Sequence, residues 1–282
     1  MRQEVIKVTP ELAEEWLSKN ISRNRTVRSM DVSRYARDMR TGRWELNPQG
    51  IIFNESGNLM DGQHRLWAVI EADTAVDMVV WFDVPDNMIH VIDSGVSRKM
   101  TDHIGFMSDD TCLRNASVIS TMTYLVKYAC QYPTAYKFSS HEMYDIMTSN
   151  YAVTRYVYKL IGSHKKQVIH SGYFVAILSA ISNQVSIKDI EAFDRNVIAG
   201  EVRGDSYNFS AAHDFRLWYE SSDRPGKGGS ANIVREHAAK SIYCFVKNKS
   251  RTKDDHYKMD TFKLTTLNAI LTKYWEDVSP SK

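Results

Sequence analysis

The sequence predicts an α+β protein in which a small mixed domain precedes a longer helical domain. Two patterns predict this class. Up to about residue 105, short apolar runs typical of strands, such as residues 51–53 and 78–82, alternate with amphipathic helical segments. After that point, nearly every segment repeats its apolar residues at helical spacing. We therefore expect an α+β domain over residues 1–105 and a helical domain over residues 106–282.

Local signals place the elements of the first domain. Thr9 is suited to cap a helix and Pro10 to occupy its first turn, whereas Gly42 is suited to end the next one. Helices are expected near residues 10–17, 30–41 and 65–71. Strands are expected at residues 5–8, 51–53, 59–60 and 78–82.

The second half of the chain is predicted to be almost entirely helical. Its clearest loop is residues 221–230, which read S-S-D-R-P-G-K-G-G-S. The expected helices cover residues 112–131, 140–149, 151–161, 172–183, 187–199 and 230–248.

Composition excludes several classes of protein. Of the 282 residues 25% are charged, and the formal net charge of +2 is too small to indicate a bulk nucleic-acid binder. No apolar run approaches the ~18 residues of a membrane helix. The three cysteines are far apart and odd in number, which argues against a disulfide framework or a zinc site. We expect a cytoplasmic protein.

The most informative segment is Asp61-Gly62-Gln63-His64-Arg65, which follows a predicted strand and opens a predicted helix. Such a junction presents main-chain N–H groups and the positive end of the helix dipole, both of which attract anions. Arg65 can bind phosphate through two donors, His64 can donate or shuttle a proton, and Asp61 can hold Mg²⁺ or act as a base. The alternative is purely structural: Asp61 caps the helix, Gly62 serves the turn and Arg65 pairs with a carboxylate.

Two further basic segments are candidate sites. Residues 23–43 contain seven arginines and only two aspartates. Within this basic segment, Arg25 and Ser29 come just before a predicted helix, where an anion is favoured. In the segment I-D-S-G-V-S-R-K, Asp93 is a candidate metal ligand and Arg98 a candidate phosphate contact. The alternatives are a solvated basic face for the first segment and an Asx turn for the second.

Five stretches resemble the ParB/sulfiredoxin-like superfamily, and most of all its phage and actinobacterial branch of proteins with a ParB N-terminal domain. They read N-R-T-V, A-R-D-M-R-T-G-R-W, G-I-I-F, G-N-L-M-D-G-Q-H-R-L-W-A-V and I-D-S-G-V-S-R-K, and their order and spacing agree over residues 9–104. The resemblance implies a small mixed sheet with a nucleotide site at the strand–helix turn.

Departures from the family pattern narrow the function that the resemblance implies. In sulfiredoxin a cysteine occupies the position of Gln63, so reduction of sulfinic acids is not expected here. In partition ParB proteins a Glu-Arg pair, which helps to bind CTP, occupies the place of Gln63 and His64. No helix-turn-helix pattern follows the domain, so centromere partition is not expected either. A free-serine kinase on this fold indicates that phosphoryl transfer to a small molecule is compatible with it.

Together, the turn and the resemblance predict a protein of phage or mobile-element origin, in the host cytoplasm, that binds ATP or CTP with Mg²⁺ and hydrolyses it or transfers a phosphoryl group. The predicted catalytic residues are Asp61, His64 and Arg65. The predicted nucleotide contacts are Gly62, Gln63, Arg25, Ser29 and Arg98, and the predicted metal ligands are Asp61 and Asp93.

The alternative function is that of a DNA-binding ParB-like protein, partition-like, regulatory or nuclease-like, with the nucleotide site as a switch. Arg34, Arg37 and Arg40 are spaced to project from one side of a helix toward DNA phosphates. A basic segment near the end of the chain offers a second contact, through Lys247, Lys249, Arg251 and Lys253. Neither function requires a membrane, and both allow a homodimer.

Overall fold

The computed structural model describes residues 1–21, 24, 26–90, 99–133, 135–164, 170–199, 207–221, 231–247 and 262–278. The chain divides into two compact units. The first comprises Met1–Lys99 together with Ala135–Glu142, and the second comprises Met100–Thr134 together with Met143–Lys282. The predicted α+β class is confirmed: a mixed sheet lies near the N-terminus and the C-terminal region is helical.

The first unit contains four strands, β1 (Arg2–Val8), β2 (Ile51–Asn54), β3 (Leu59–Asp61) and β4 (Val76–Val84). They form one sheet in the order β1-β4-β2-β3. β1 pairs with β4 and β2 with β3 in antiparallel fashion, whereas β2 and β4 are parallel. The chain therefore leaves the sheet after Asp61, at the end of a strand that is hydrogen-bonded to β2.

Three helices cover the sheet, namely α1 (Pro10–Ser18), α2 (Ser29–Arg40) and α3 (Gln63–Ala72). α1 begins as its sequence predicts, because the Thr9 side chain accepts a hydrogen bond from Leu12 N. Apolar residues of all three helices and of the sheet form one buried core. It includes Val8, Trp16, Val32, Ala36, Met39, Ile51, Phe53, Leu59, Leu66, Val69 and Val80.

In the described part of the second unit the regular elements are helices. They are α4 (Met100–Met107), α5 (Ala116–Ala129), α6 (Ser140–Ser149, whose first residues belong to the first unit), α7 (Tyr151–Ser163), α8 (Ser171–Ser182), α9 (Ile187–Ala199), α10 (Tyr207–Glu220), α11 (Ala231–Val246) and α12 (Leu264–Val278). Among the described helices, none is long and apolar enough to cross a membrane.

Some boundaries differ from those predicted. Residue 105 lies inside α4, which the sequence did not reveal, and α12 was also not predicted. α5 begins at Ala116 rather than at residue 112, because the Asn115 side chain caps it by accepting from Ser117 N and Val118 N. The predicted loop at residues 221–230 lies outside the described residues, except for Ser221.

A segment far along the chain belongs to the first unit. We call Ala135–Glu142 the strap. Arg37 of α2 donates from Nε and Nη2 to the two carboxylate oxygens of Glu142, over 2.9 and 3.2 Å, and from Nη2 to the Lys137 carbonyl. The Arg37 guanidinium also lies 4.3 Å from the centre of the Tyr136 ring. α2 is therefore held by residues about a hundred positions later in the sequence.

Candidate phosphate-binding site

The turn between β3 and α3 is built on Gly62. Its φ of +105° is one that side chains rarely adopt, and a Cβ there would lie 2.5 Å from Ile51 Cδ1. The Gly62 carbonyl accepts from Arg65 N and Leu66 N, which starts α3. The glycine thus brings the first turn of α3 against β2, and the close approach that it allows is to the protein's own core.

His64 joins the beginnings of two helices. Its Nε2 accepts a hydrogen bond of 3.0 Å from the main-chain N–H of Arg28, the residue that caps α2. The ring is only 8% exposed. Because an accepting Nε2 carries no proton, the proton of the neutral ring is on Nδ1. His64 therefore acts first as a tether, and proton transfer through Nε2 would require this bond to break.

As a result, the N-terminal ends of α2 and α3 lie side by side. The residues at their caps, Arg28 and Gly62, have no side-chain acceptor with which to satisfy the N–H groups of the first turn. Each such end carries a partial positive charge of roughly half an elementary charge. Two of them held together by one histidine favour an anion more than either would alone.

Arg65 is anchored at one of its nitrogens. Nη1 donates to the Gly50 carbonyl over 2.8 Å and lies 3.9 Å from Asp61 Oδ2. Only glycine fits at position 50, since a Cβ there would lie 2.2 Å from the Val79 carbonyl oxygen. The side chain of Arg65 is 14% exposed, and within the described ranges its other nitrogens have no protein acceptor. Nη1 is thus bound within the fold, and the donors of Nε and Nη2 can bind a ligand.

A chain of amide side chains lies beside the turn. Gln63 is buried, and its Oε1 accepts from Asn20 Nδ2 over 3.1 Å. Asn24 Nδ2 in turn donates to Asn20 Oδ1 and to the Leu59 carbonyl. Sequence reasoning missed Asn20 and Asn24, because only the fold brings them to a residue some forty positions away. Their contacts give Gln63 a structural role in addition to the one predicted.

The remaining predicted site residues are distributed as follows. Asp61 ends β3 with a partly exposed side chain, and Ser29 is the first residue of α2 and is exposed. Arg25, Asp93 and Arg98 lie outside the described residues. The described residues contain no group of three or more His, Cys, Asp and Glu side chains that could hold a metal ion. Asp61 is thus a single carboxylate, which fits Mg²⁺ only if phosphate oxygens and water complete its coordination.

The three arginines predicted to meet DNA are each paired with a carboxylate. Arg34 lies 3.8 Å from Asp31, Arg37 is bound by Glu142, and Arg40 lies 3.6 Å from Glu71. Of the basic segment near the end of the chain, Lys247 is described, whereas Lys249, Arg251 and Lys253 are outside the described residues.

The second unit contains a separate buried polar cluster. His164 Nε2 is 2.8 Å from Asp194 Oδ1, and the Tyr173 hydroxyl donates to the same oxygen over 2.6 Å. Burial, the charge of Asp194 and this hydrogen bond raise the pKa of Tyr173 well above its ordinary value, so that it remains a phenol. The cluster joins the end of α7 to α8 and α9. These hydrogen bonds give the cluster a structural role in packing the three helices together.

Comparison with known protein families, with curated proteins and with solved structures finds no match. The likeness to the ParB/sulfiredoxin-like superfamily therefore stays a prediction from the motifs.

Proposed function

We propose that this chain binds the phosphate groups of a nucleoside triphosphate, ATP or CTP, at the paired N-terminal ends of α2 and α3. The observation that carries the proposal is the hydrogen bond from Arg28 N to His64 Nε2, which holds these two ends together. Neither end is capped by its own side chain, and Arg65, in the first turn of α3, has donors that no acceptor among the described residues uses. The ParB/sulfiredoxin-like fold expected from the motifs is consistent with a nucleotide at this turn.

The carboxylate of Asp61 is the reason why this proposal includes Mg²⁺. A carboxylate next to an anion site repels phosphate unless a cation lies between them. Mg²⁺ is commonly held by one or two carboxylates together with phosphate oxygens, so Asp61 alone suffices on the protein side. When bound, Mg²⁺ would neutralise charge on the transferred phosphoryl group.

The proposed reaction is hydrolysis of the triphosphate or transfer of its terminal phosphoryl group. Arg65 would stabilise charge on the phosphoryl oxygens, and the helix ends would do the same without reorganising. His64 is best regarded as a positioning residue, because Nε2 is already occupied. This leaves Asp61 to take a proton from the attacking water or acceptor, or to hold the metal.

The binding step is tested by thermal shift with ATP, CTP, GTP and UTP in the presence of Mg²⁺, since a ligand that binds only the folded state raises the melting temperature. We expect one triphosphate to stabilise the wild type and Arg65→Lys to lose most of this effect while keeping one donor for Gly50. The matched control is Arg40→Gln, because Arg40 pairs with Glu71. Failure of all four triphosphates to raise the melting temperature would reject the proposal.

The catalytic step is tested separately by release of phosphate and by formation of a phosphorylated product. We expect Asp61→Asn to abolish turnover and to weaken the dependence of binding on Mg²⁺. A wild type that binds nucleotide but shows neither phosphate release nor product would reduce the function to binding alone.

DNA binding through α2 is the alternative, and the ion pairs rank it second. A DNA phosphate would have to displace a carboxylate from Arg34, Arg37 and Arg40 in turn. A gel-shift series against salt decides it, because contacts to phosphates weaken steeply as salt rises. Absence of retardation even at low salt would exclude this role.

A further inference from the structure

The negative charge of Asp31 opposes the binding of any anion at the start of α2. Asp31 lies in the first turn of the helix, where its main-chain N–H bonds to the Arg28 carbonyl. A carboxylate at this position is favourable to the helix because it uses the positive end of the dipole. For the same reason it competes with an incoming phosphate and repels it.

The strap supplies a cation to this carboxylate. Lys137 Nζ lies 3.1 Å from Asp31 Oδ1, closer than the 3.8 Å between Asp31 and Arg34 of the same helix. Burial raises the pKa of Asp31, but the hydrogen bond from Lys137 and the charges of Lys137 and Arg34 together bring it below its ordinary value.

Lys137 is held in place by its neighbours in the strap. Its own carbonyl accepts from Arg37, one residue before it Tyr136 lies against the Arg37 guanidinium, and Glu142 pairs with the same arginine. The lysine is therefore presented to Asp31 by an anchored main chain, although its side chain is 42% exposed.

We infer that Lys137 is a positioning residue of the anion site: it neutralises Asp31 and so lets the N-terminal end of α2 accept a phosphate. This inference rests on the proposed function and deepens it. The site then needs residues from two distant parts of the sequence, the turn at Asp61 to Arg65 and the strap.

A double-mutant cycle tests the inference with Mg²⁺–ATP, Mg²⁺–CTP and inorganic pyrophosphate as probes. We expect Lys137→Met to weaken binding about three- to tenfold, which is what one unscreened charge several ångströms away produces near a protein surface. Asp31→Asn should bind at least as tightly as the wild type, and adding Lys137→Met to it should then change affinity by less than about twofold. Lys137→Arg should restore binding.

Lys19→Met is the matched control. Lys19 is 44% exposed and pairs with Glu15 over 2.7 Å in the same unit, so it loses a similar surface ion pair away from α2. It should bind the probes as the wild type does. Equal affinity of Lys137→Met and the wild type, or an equal effect of Lys137→Met with and without Asp31, would overturn the inference and leave the proposed function standing.

Titration of Asp31 by NMR in the ligand-free protein distinguishes failure of the inference about Lys137 from failure of the proposed function. Lys137→Met should raise the pKa of Asp31 toward its ordinary value, whereas Lys19→Met should leave it unchanged. If no form of the protein binds any probe, the proposed function fails and the inference fails with it, even when Asp31 titrates as expected. If the wild type binds and Asp31 titrates identically with and without Lys137, only the inference fails.

Discussion

At the scale of single residues, the turn after β3 depends on the absence of a side chain at Gly62. Its backbone is left-handed and its α-carbon faces Ile51 at close range. Gly57 also has a positive φ, of +76°, but a Cβ there would meet nothing within 4 Å. The two glycines therefore separate the cost of backbone strain from the cost of a steric clash.

We predict that Gly62→Ala lowers the free energy of unfolding by more than Gly57→Ala does. Strain alone costs about 1–2 kcal/mol, and overpacking against Ile51 adds about 1–3 kcal/mol. Denaturant unfolding measures both variants, and Ile51→Val, which removes Cδ1, should recover part of the loss in Gly62→Ala. Equal losses in the two glycine variants would contradict the contact with Ile51.

The turn was predictable from residue types, whereas the partners of its side chains were not. A glycine between a short apolar run and an amphipathic helix indicates a strand–turn–helix junction wherever it occurs. That His64 accepts from Arg28, and Arg65 donates to Gly50, depends on residues 36 and 15 positions away. No local spacing encodes these pairs. Sequence reasoning therefore predicted His64 and Arg65 to be ligand contacts, although both side chains also form hydrogen bonds within the fold.

At the scale of elements, the start of α6 combines a helix cap with an ion pair. Ser139 N donates to Glu142 Oε2 over 2.7 Å, and Glu142 N donates back to Ser139 Oγ, which is the reciprocal arrangement of a capping box. Burial raises the pKa of Glu142, but the hydrogen bonds from Arg37 and Ser139 and the charge of Arg37 lower it overall. The Glu142 carboxylate thus caps α6 and also binds Arg37 of α2.

The lowered pKa of Glu142 makes the strap sensitive to acid. A carboxyl group whose pKa is lower in the folded state stabilises it above its ordinary pKa of 4.5, and this contribution is lost as the pH falls through the lowered value. We predict that Glu142→Gln costs about 1.5–3 kcal/mol at pH 7 and that its difference from the wild type shrinks below pH 4. Urea unfolding at several pH values measures this.

Glu15→Gln is the control for this prediction, because the one ion pair of Glu15 within the described residues is an exposed pair with Lys19. Its effect should stay within about 0.5 kcal/mol. A Glu142→Gln deficit that is the same at pH 3 and pH 7 would show that the charge of Glu142 is not what matters.

Elements with strong local signals were predicted well, and those fixed by tertiary contacts were not. α1, α2 and α9 follow from caps and apolar spacing, and the helix at Ser140–Ser149 was expected at its observed position. That its first turn lies against α2 could not be read from the sequence, since Arg37 and Glu142 are 105 positions apart. α4 was missed because its apolar residues do not share one face: Ile104 is fully buried, whereas Phe106 is 76% exposed.

At the scale of the whole molecule, the division into two units predicts that damage in one unit spares the other. Gly172 of α8 offers a test within the second unit, because a Cβ there would lie 2.2 Å from the Ala231 carbonyl oxygen of α11. Gly162 of α7 is its control, since a Cβ there would meet nothing within 4 Å.

We predict that Gly172→Ala destabilises the second unit by about 1–3 kcal/mol and that Gly162→Ala stabilises it by about 0.5–1 kcal/mol, the gain in helix propensity. Amide hydrogen exchange should show lost protection in α8 and α11 of Gly172→Ala and unchanged protection in β1 and β4. Equal loss of protection in the sheet would mean that the chain unfolds as one cooperative body.

The strap also decides how the N-terminal half can be studied in isolation. A truncation after residue 105, where the sequence suggests a boundary, would delete every partner of the Arg37 guanidinium that the strap provides and leave Asp31 without its lysine. Expression clones should therefore extend through Glu142. Alternatively, residues 135–142 can be added back in trans as a synthetic peptide, whose association would report directly on the hold that this octapeptide has on α2.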